Sequence, residues 1–106
     1  MDCVFCRVVR GDLPAHVVRA DAGAVAFLDT RPAALEHTLV VPRVHVEDLW
    51  DGTADAAAAV MTTAHEVAAL LRRQLAPDGL TLRQNTGAAS GQQALARLLT
   101  DPPPGG

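Results

Sequence analysis

Short apolar stretches bounded by turn residues come first along the chain, and one long stripe at helical spacing follows them. His16-Val17-Val18-Arg19-Ala20 reads as a strand after the turn signal Gly11-Asp12-Leu13-Pro14. Asp21-Ala22-Gly23 is a second turn, and Ala24-Val25-Ala26-Phe27-Leu28-Asp29 a second strand, so the pair predicts a hairpin. Arg31-Pro32-Ala33-Ala34 connects to a short apolar strand, Thr38-Leu39-Val40-Val41-Pro42, which Pro42 ends. Val46 to Trp50 predicts a short helical turn. Leu80-Thr81-Leu82-Arg83-Gln84 reads as a further strand.

The clearest element is a helix from about Ala54 to Leu75. Ala57, Val60, Met61, Ala64, Ala68, Leu71 and Leu75 supply its predicted apolar stripe. Thr53 is the expected N-cap, because its hydroxyl can accept from a free first-turn N–H. Arg72 and Arg73 complement the helix dipole at the far end, where Pro77 and Gly79 stop it. Beyond the small-residue loop Thr86–Gly91, Ala94, Leu95, Leu98 and Leu99 again sit at helical spacing, and their propensities favour helix. Pro102-Pro103-Pro104-Gly105-Gly106 predicts no regular structure. Strands before and after one long helix imply an α+β domain, an antiparallel sheet covered by a helix.

Composition narrows the function classes. A chain of 106 residues, 49% apolar, supports one core and one domain. A net charge of −3 argues against a basic nucleic-acid-binding face. No apolar run has the length of a membrane span, and Met1-Asp2-Cys3 does not open a secretory signal, so a cytoplasmic protein is expected. The two cysteines, Cys3 and Cys6, are too few for a disulfide framework.

Four features could carry chemistry. Cys3 and Cys6 have the spacing of a zinc half-site, with His45 as a third ligand and no obvious fourth among His16, His37 and His65; two reduced thiols at a packed terminus is the other reading. The loop Asn85-Thr86-Gly87-Ala88-Ala89-Ser90-Gly91-Gln92 would let a phosphate approach backbone N–H groups, or is simply a connection. Asp29 ends a strand, where a carboxylate can accept both hydroxyls of a ribose or can cap a turn. His37 precedes a strand, as a structural residue or as part of a site.

These pieces occur together in one order. Cys3–Ala15, Ala24–Pro32, Glu36–His45 and Gln84–Gln92 resemble the corresponding stretches of the histidine-triad (HIT) family, so that residues 3–93 are identified as a HIT-like domain and 94–106 as a divergent, flexible tail. The resemblance implies an α+β fold: a HIT-like antiparallel sheet packed against one long helix, with the C-terminal strand altered or missing. It implies homodimeric, Hint-like purine-nucleotide hydrolases acting on nucleoside phosphoramidates and related adenylates. Carried over, Val4, Phe5, Val8, Phe27 and Leu28 would wall the base and Asp29 would hold the ribose. Asn85, Gly91 and Gln93 would line the phosphate. His37 would be a supporting histidine, with no catalytic residue assigned. Cys3, Cys6 and His45 would be three zinc ligands, with the first triad histidine as the fourth.

This sequence departs from the family pattern where the triad should stand. The positions corresponding to His-x-His-x-His are Ala96, Leu98 and Thr100, so the covalent nucleophile and a zinc ligand are both missing. A frameshift after Gln92 or Gln93, or a degenerate paralogue, would each produce this, and each would leave an unpaired sheet edge. The expectation is a catalytically impaired module that binds an AMP- or GMP-like nucleotide, with no nucleic acid or membrane partner, as a possible homodimer with at most an incomplete zinc site. An active hydrolase using some other residue, and a truncated product without a stable fold, are the alternatives.

Overall fold

In the computed structural model, which describes residues 4–12, 16–28, 37–46, 49–84 and 96–101, the chain forms helix α1 (Val4–Arg10), strands β1 (Val17–Ala20), β2 (Ala24–Leu28) and β3 (His37–Pro42), helix α2 (Ala54–Leu75), and strands β4 (Gly79–Arg83) and β5 (Ala96–Asp101). All strands join one antiparallel sheet in the order β1-β2-β3-β5-β4. The α+β architecture expected from the pattern is the one found.

Strand alternation gives the sheet two unlike faces. Ala24, Ala26, Val40, Ala96 and Leu98 point to one side and pack against Val60, Ala64, Val67 and Leu71 of α2. Val25, Phe27, Leu39 and Val41 point to the other, where Val8 and Val9 of α1 cover them. Small residues dominate the α2 side and bring helix and sheet close together. A Cβ placed on Gly23 would lie 2.7 Å from the Cβ of Ala59, so only glycine fits beneath the helix there.

Both helices end by identifiable chemistry. Thr53 Oγ1 accepts from the N–H of Ala56 at 3.1 Å, as an N-cap should. At the C-cap, Ala76 adopts a left-handed φ of 45° and donates its N–H to the carbonyl of Arg72, with Pro77 next. Helix α1 closes on Gly11 at φ 83°, with the Gly11 N–H donating to Val8 and that of Asp12 to Arg7.

The first hairpin is tied to α2 and β3 through Asp21. Its carboxylate accepts from Thr63 Oγ1 at 2.7 Å and from Arg19 Nε at 3.0 Å. Arg43, just after β3, donates its Nε to the Asp21 carbonyl and its N–H to that of Gly23. The hydrogen bond from Thr63 chiefly, then that from Arg19, holds the Asp21 carboxyl below the ordinary range; slight desolvation opposes this, and the charges of Arg19 and Arg43 add to it.

Two expectations are corrected and one element is added. Ala96–Asp101 is neither a helix nor missing from the sheet: it is a strand paired on both edges, with β3 and with β4. Tertiary pairing overrides the helix propensity of Ala, Leu and Arg there. Six residues of the expected tail over 94–106 are thus part of the sheet. The stripe of α2 also lies further round the helix. Ala56, Val60, Thr63, Ala64, Val67 and Leu71 are buried, while Met61 and Leu75 are exposed, because Thr63 can enter the interface once Asp21 accepts its hydroxyl proton. Lastly, α1 went unpredicted, although Val4, Phe5, Val8 and Val9 recur at helical spacing. Leu49–Asp51 form a turn; of the short helix expected over Val46–Trp50, Glu47 and Asp48 lie outside the described residues.

Two predictions follow from this packing. Gly23→Ala should cost about 1–3 kcal/mol of unfolding free energy by overpacking. Adding Ala59→Gly should recover part of that loss, despite the roughly 1 kcal/mol that glycine costs inside a helix. Urea denaturation of the two single variants and the double variant measures both. Because the folded pKa of Asp21 is depressed below that of an ordinary aspartate, its stabilising contribution is complete above the ordinary carboxylate range. The contribution is lost as pH falls through the lower folded value. Thermal melts from pH 6 to pH 2 should therefore fall more steeply for the wild type than for Asp21→Asn.

Candidate functional site

The sheet face away from α2 gathers several of the residues that the sequence singles out. Phe27 of β2 is 5% exposed, with Leu39 beside it and Val8 of α1 against the same cluster. His37, the half-buried first residue of β3, shares the alternation of Leu39 and Val41 and so stands on this face. Phe27, Leu39 and Val8 thus make an apolar floor bounded by an imidazole. Phe27 and Leu39 are buried with Val8 and Val9 of α1 packed against them, and His37 borders this layer with an imidazole that can donate or accept a hydrogen bond.

Leu28 does not join them. It pairs with Thr38, whose neighbours His37 and Leu39 point the other way, and period-two alternation sends Leu28 to the α2 side. Val4 and Phe5 belong to α1, the helix that covers the apolar floor. Cys3, Asp29, Asn85, Gly91 and Gln93 lie outside the described residues, as does the loop Thr86–Gly91.

Strand β5 contributes a different set of side chains from the expected one. Ala96, Leu98 and Thr100 are 2%, 0% and 5% exposed and face α2. They are turned away from Phe27 and His37. The residues of β5 on the site face are Arg97 and Leu99, which pair with Leu39 and His37 respectively. A one-residue change of register moves every side chain of a strand to the opposite face. Here Arg97 decides the register, because the alternative would press a guanidinium into the apolar layer under α2. Sequence reasoning missed Arg97 and Leu99. The signal was available in Ala96-Arg97-Leu98-Leu99-Thr100, where only one alternation keeps the charge out of the core.

A second cluster lies at the start of the chain. Cys6 Sγ is 3.0 Å from His45 Nδ1, an S–H···N or N–H···S contact according to the tautomer. Two of the three expected zinc donors are therefore adjacent across 39 positions of sequence. A structural zinc needs four donors. Among the described residues no cluster of three or more His, Cys, Asp and Glu exists, and Ala96, at the position expected for the fourth ligand, is a methyl group facing α2. The described residues do not complete a zinc site.

Among the described residues no helix is long and apolar enough to cross a membrane.

Comparison with known proteins gives the geometry a family. The chain is 33% identical over 91 residues to protein hit of Bacillus subtilis, covering 86% of this chain and 63% of that one. It is 31% identical to adenylylsulfatase HINT3 of Arabidopsis thaliana, covering 86% of this chain and 46% of the relative. The chain therefore spans less than two thirds of the length of these relatives. Among solved structures, a zinc-bound histidine triad family protein from Mycobacterium smegmatis superposes with a TM-score of 0.86 at 32% identity, over 99% of this chain and 78% of that one. A hypothetical histidine triad nucleotide-binding protein from Sulfolobus tokodaii superposes with a TM-score of 0.86 at 28% identity, over 95% of this chain and 70% of that one. The HIT domain family model matches residues 10–95, and with the fold and these relatives it follows that the chain belongs to the HIT domain family.

Proposed function

We propose that this chain binds a purine mononucleotide, AMP- or GMP-like, on the sheet face opposite α2, and that it does not hydrolyse nucleotides through a covalent enzyme intermediate. Family membership and the nucleotide-binding description of the Sulfolobus relative support the first part. The second part rests on one observation, the make-up of β5. On neither face does this strand hold a histidine: Ala96, Leu98 and Thr100 turn to α2, and Arg97 and Leu99 turn to the site. A guanidinium stays protonated at neutral pH and cannot attack phosphorus. A threonine buried on the far face cannot reach a ligand at Phe27.

Within this reading Val8, Phe27 and Leu39 form the apolar support for the base, with Val4 and Phe5 on the same helix as Val8. His37 stands at the edge as a hydrogen-bonding group. Asp29 holds the ribose hydroxyls, and Asn85, Gly91 and Gln93 approach the phosphate. The reading includes a homodimer, because the edge strand β4 exposes Leu80 and Leu82, and α2 exposes Met61 and Leu75. It also includes a cytoplasmic setting, in which Cys3 and Cys6 stay reduced.

Thermal melts with nucleotide, paired with a turnover assay, test the proposal. For a Kd of about 100 μM, 1 mM AMP or GMP adds roughly 1.4 kcal/mol and raises Tm by about 6 °C for a domain of this size. Adenosine phosphoramidate should show no release of AMP above the buffer rate. The absence of any Tm shift with millimolar AMP and GMP refutes the binding reading, and turnover that retains a nucleotidyl-protein intermediate refutes the catalytic one.

A further inference from the structure

We infer that Cys6 and His45 form a metal-free clasp, a direct thiol–imidazole contact that fastens α1 to the segment after β3, and that this chain, unlike its zinc-bound relative, needs no zinc to close it. The donor set carries the inference. A structural zinc takes four ligands, and the described residues bring two together. His45 follows the Pro42 end of β3, which pairs with Ala24. His37 opens the same strand, and the length between spans about 17 Å. The carbonyl of His16 accepts from the N–H of Leu28, which pairs with Thr38, so His16 also belongs to the far end of the sheet. His65 is exposed on α2, and α2 and α1 pack on opposite faces. The Asp21 carboxylate is engaged by Thr63 and Arg19, and Ala96 turns a methyl group to α2. Cys3 lies outside the described residues; counted in, it makes three donors, one short of a structural site. Two ligands of one tetrahedral zinc stand roughly 3.5 Å apart, given about 2.3 Å to sulfur and 2.0–2.1 Å to nitrogen. Cys6 Sγ and His45 Nδ1 are 3.0 Å apart and touch each other.

The clasp has a task, because α1 cannot stand alone. It has 7 residues, well short of the length at which an isolated helix holds in water. Val8 and Val9 anchor it on the buried layer of Val25, Phe27, Leu39 and Val41. Cys6 and Val9 are three positions apart and lie on one side of the helix, so the contact with His45 extends the anchored side toward the N-terminal end. The other end is fixed by the Gly11 turn, where the N–H of Asp12 donates to the carbonyl of Arg7. The thiol can donate to the imidazole, or the imidazole to the sulfur, and either tautomer makes the same link across 39 positions of sequence. The inference concerns how α1 is held and is independent of the nucleotide reading above.

The test joins metal analysis of the wild type to a double-mutant cycle. The purified chain should carry well under one zinc per molecule, and its melting temperature should be the same with a chelator and with excess zinc chloride, since a metal that bound the folded state would raise it. Hydrogen exchange at the α1 amides reads the clasp locally. Cys6 is half-buried and His45 exposed, so Cys6→Ala and His45→Ala leave the core intact. Each should speed α1 exchange about two- to tenfold, the worth of one hydrogen bond, and the double variant should exchange no faster than the singles. Cys6→Ser discriminates between clasp and metal, because its hydroxyl can donate to the imidazole but does not replace a thiolate on zinc. It should keep most of the wild-type protection. Zinc near one per chain, or a melting temperature that zinc raises in the wild type and not in Cys6→Ala, overturns the inference. So do independent effects of the two alanine variants, and so does a serine as damaging as alanine.

Discussion

Strand β5 lies between β3 and β4 and has α2 on one face, and that enclosure fixes the geometry of everything around it. Leu98 is fully buried and Ala96 nearly so. Burying a leucine side chain contributes about 1.5–3 kcal/mol, whereas an unpaired charge in the same layer costs several. Both amounts favour the same register. Arg97 must face away from α2, and Leu99 with it. The strand therefore completes the sheet with Ala96, Leu98 and Thr100 toward α2, and it presents to the opposite face a cation and an apolar side chain.

The second face depends on the first. Ala24, Ala26 and Gly23 allow α2 to approach the hairpin closely, and Asp21 joins the hairpin turn to Thr63 and Arg43. With that side fixed, Val25, Phe27, Leu39 and Val41 are obliged to the other side, where they are buried with Val8 and Val9 of α1 packed against them. The second apolar layer and Arg97 beside it are consequences of one alternation pattern read across β2, β3 and β5.

Much of this was legible in the sequence. The hairpin, β3, β4 and α2 all follow from periodicity and punctuation, and Thr53 is the cap its position suggests. Val8, Phe27 and His37 do share a face, and Cys6 does meet His45. What was not legible depends on tertiary context. Ala, Leu and Arg favour helix locally, yet residues 96–101 become a strand because two strand edges are available to pair with them. Thr63 reads as polar until Asp21 supplies its acceptor. Leu28 looks like a companion of Phe27 until the two-residue period sends it to the opposite side. The correspondence of Ala96, Leu98 and Thr100 with the triad follows the order of the sequence, whereas the fold selects the face by what can be buried.

The most direct test of the account is the effect of a charge at each of two adjacent positions in β5. Leu98→Lys and Leu99→Lys can be compared by urea denaturation. A lysine at position 98 should cost about 4 kcal/mol or abolish cooperative unfolding, because it places a charge under α2. At position 99 the loss should be less than about half of that, since the ammonium can reach solvent over the site face. The reverse order, with Leu99→Lys the more damaging, would show that β5 presents Ala96, Leu98 and Thr100 to the site and would contradict the account.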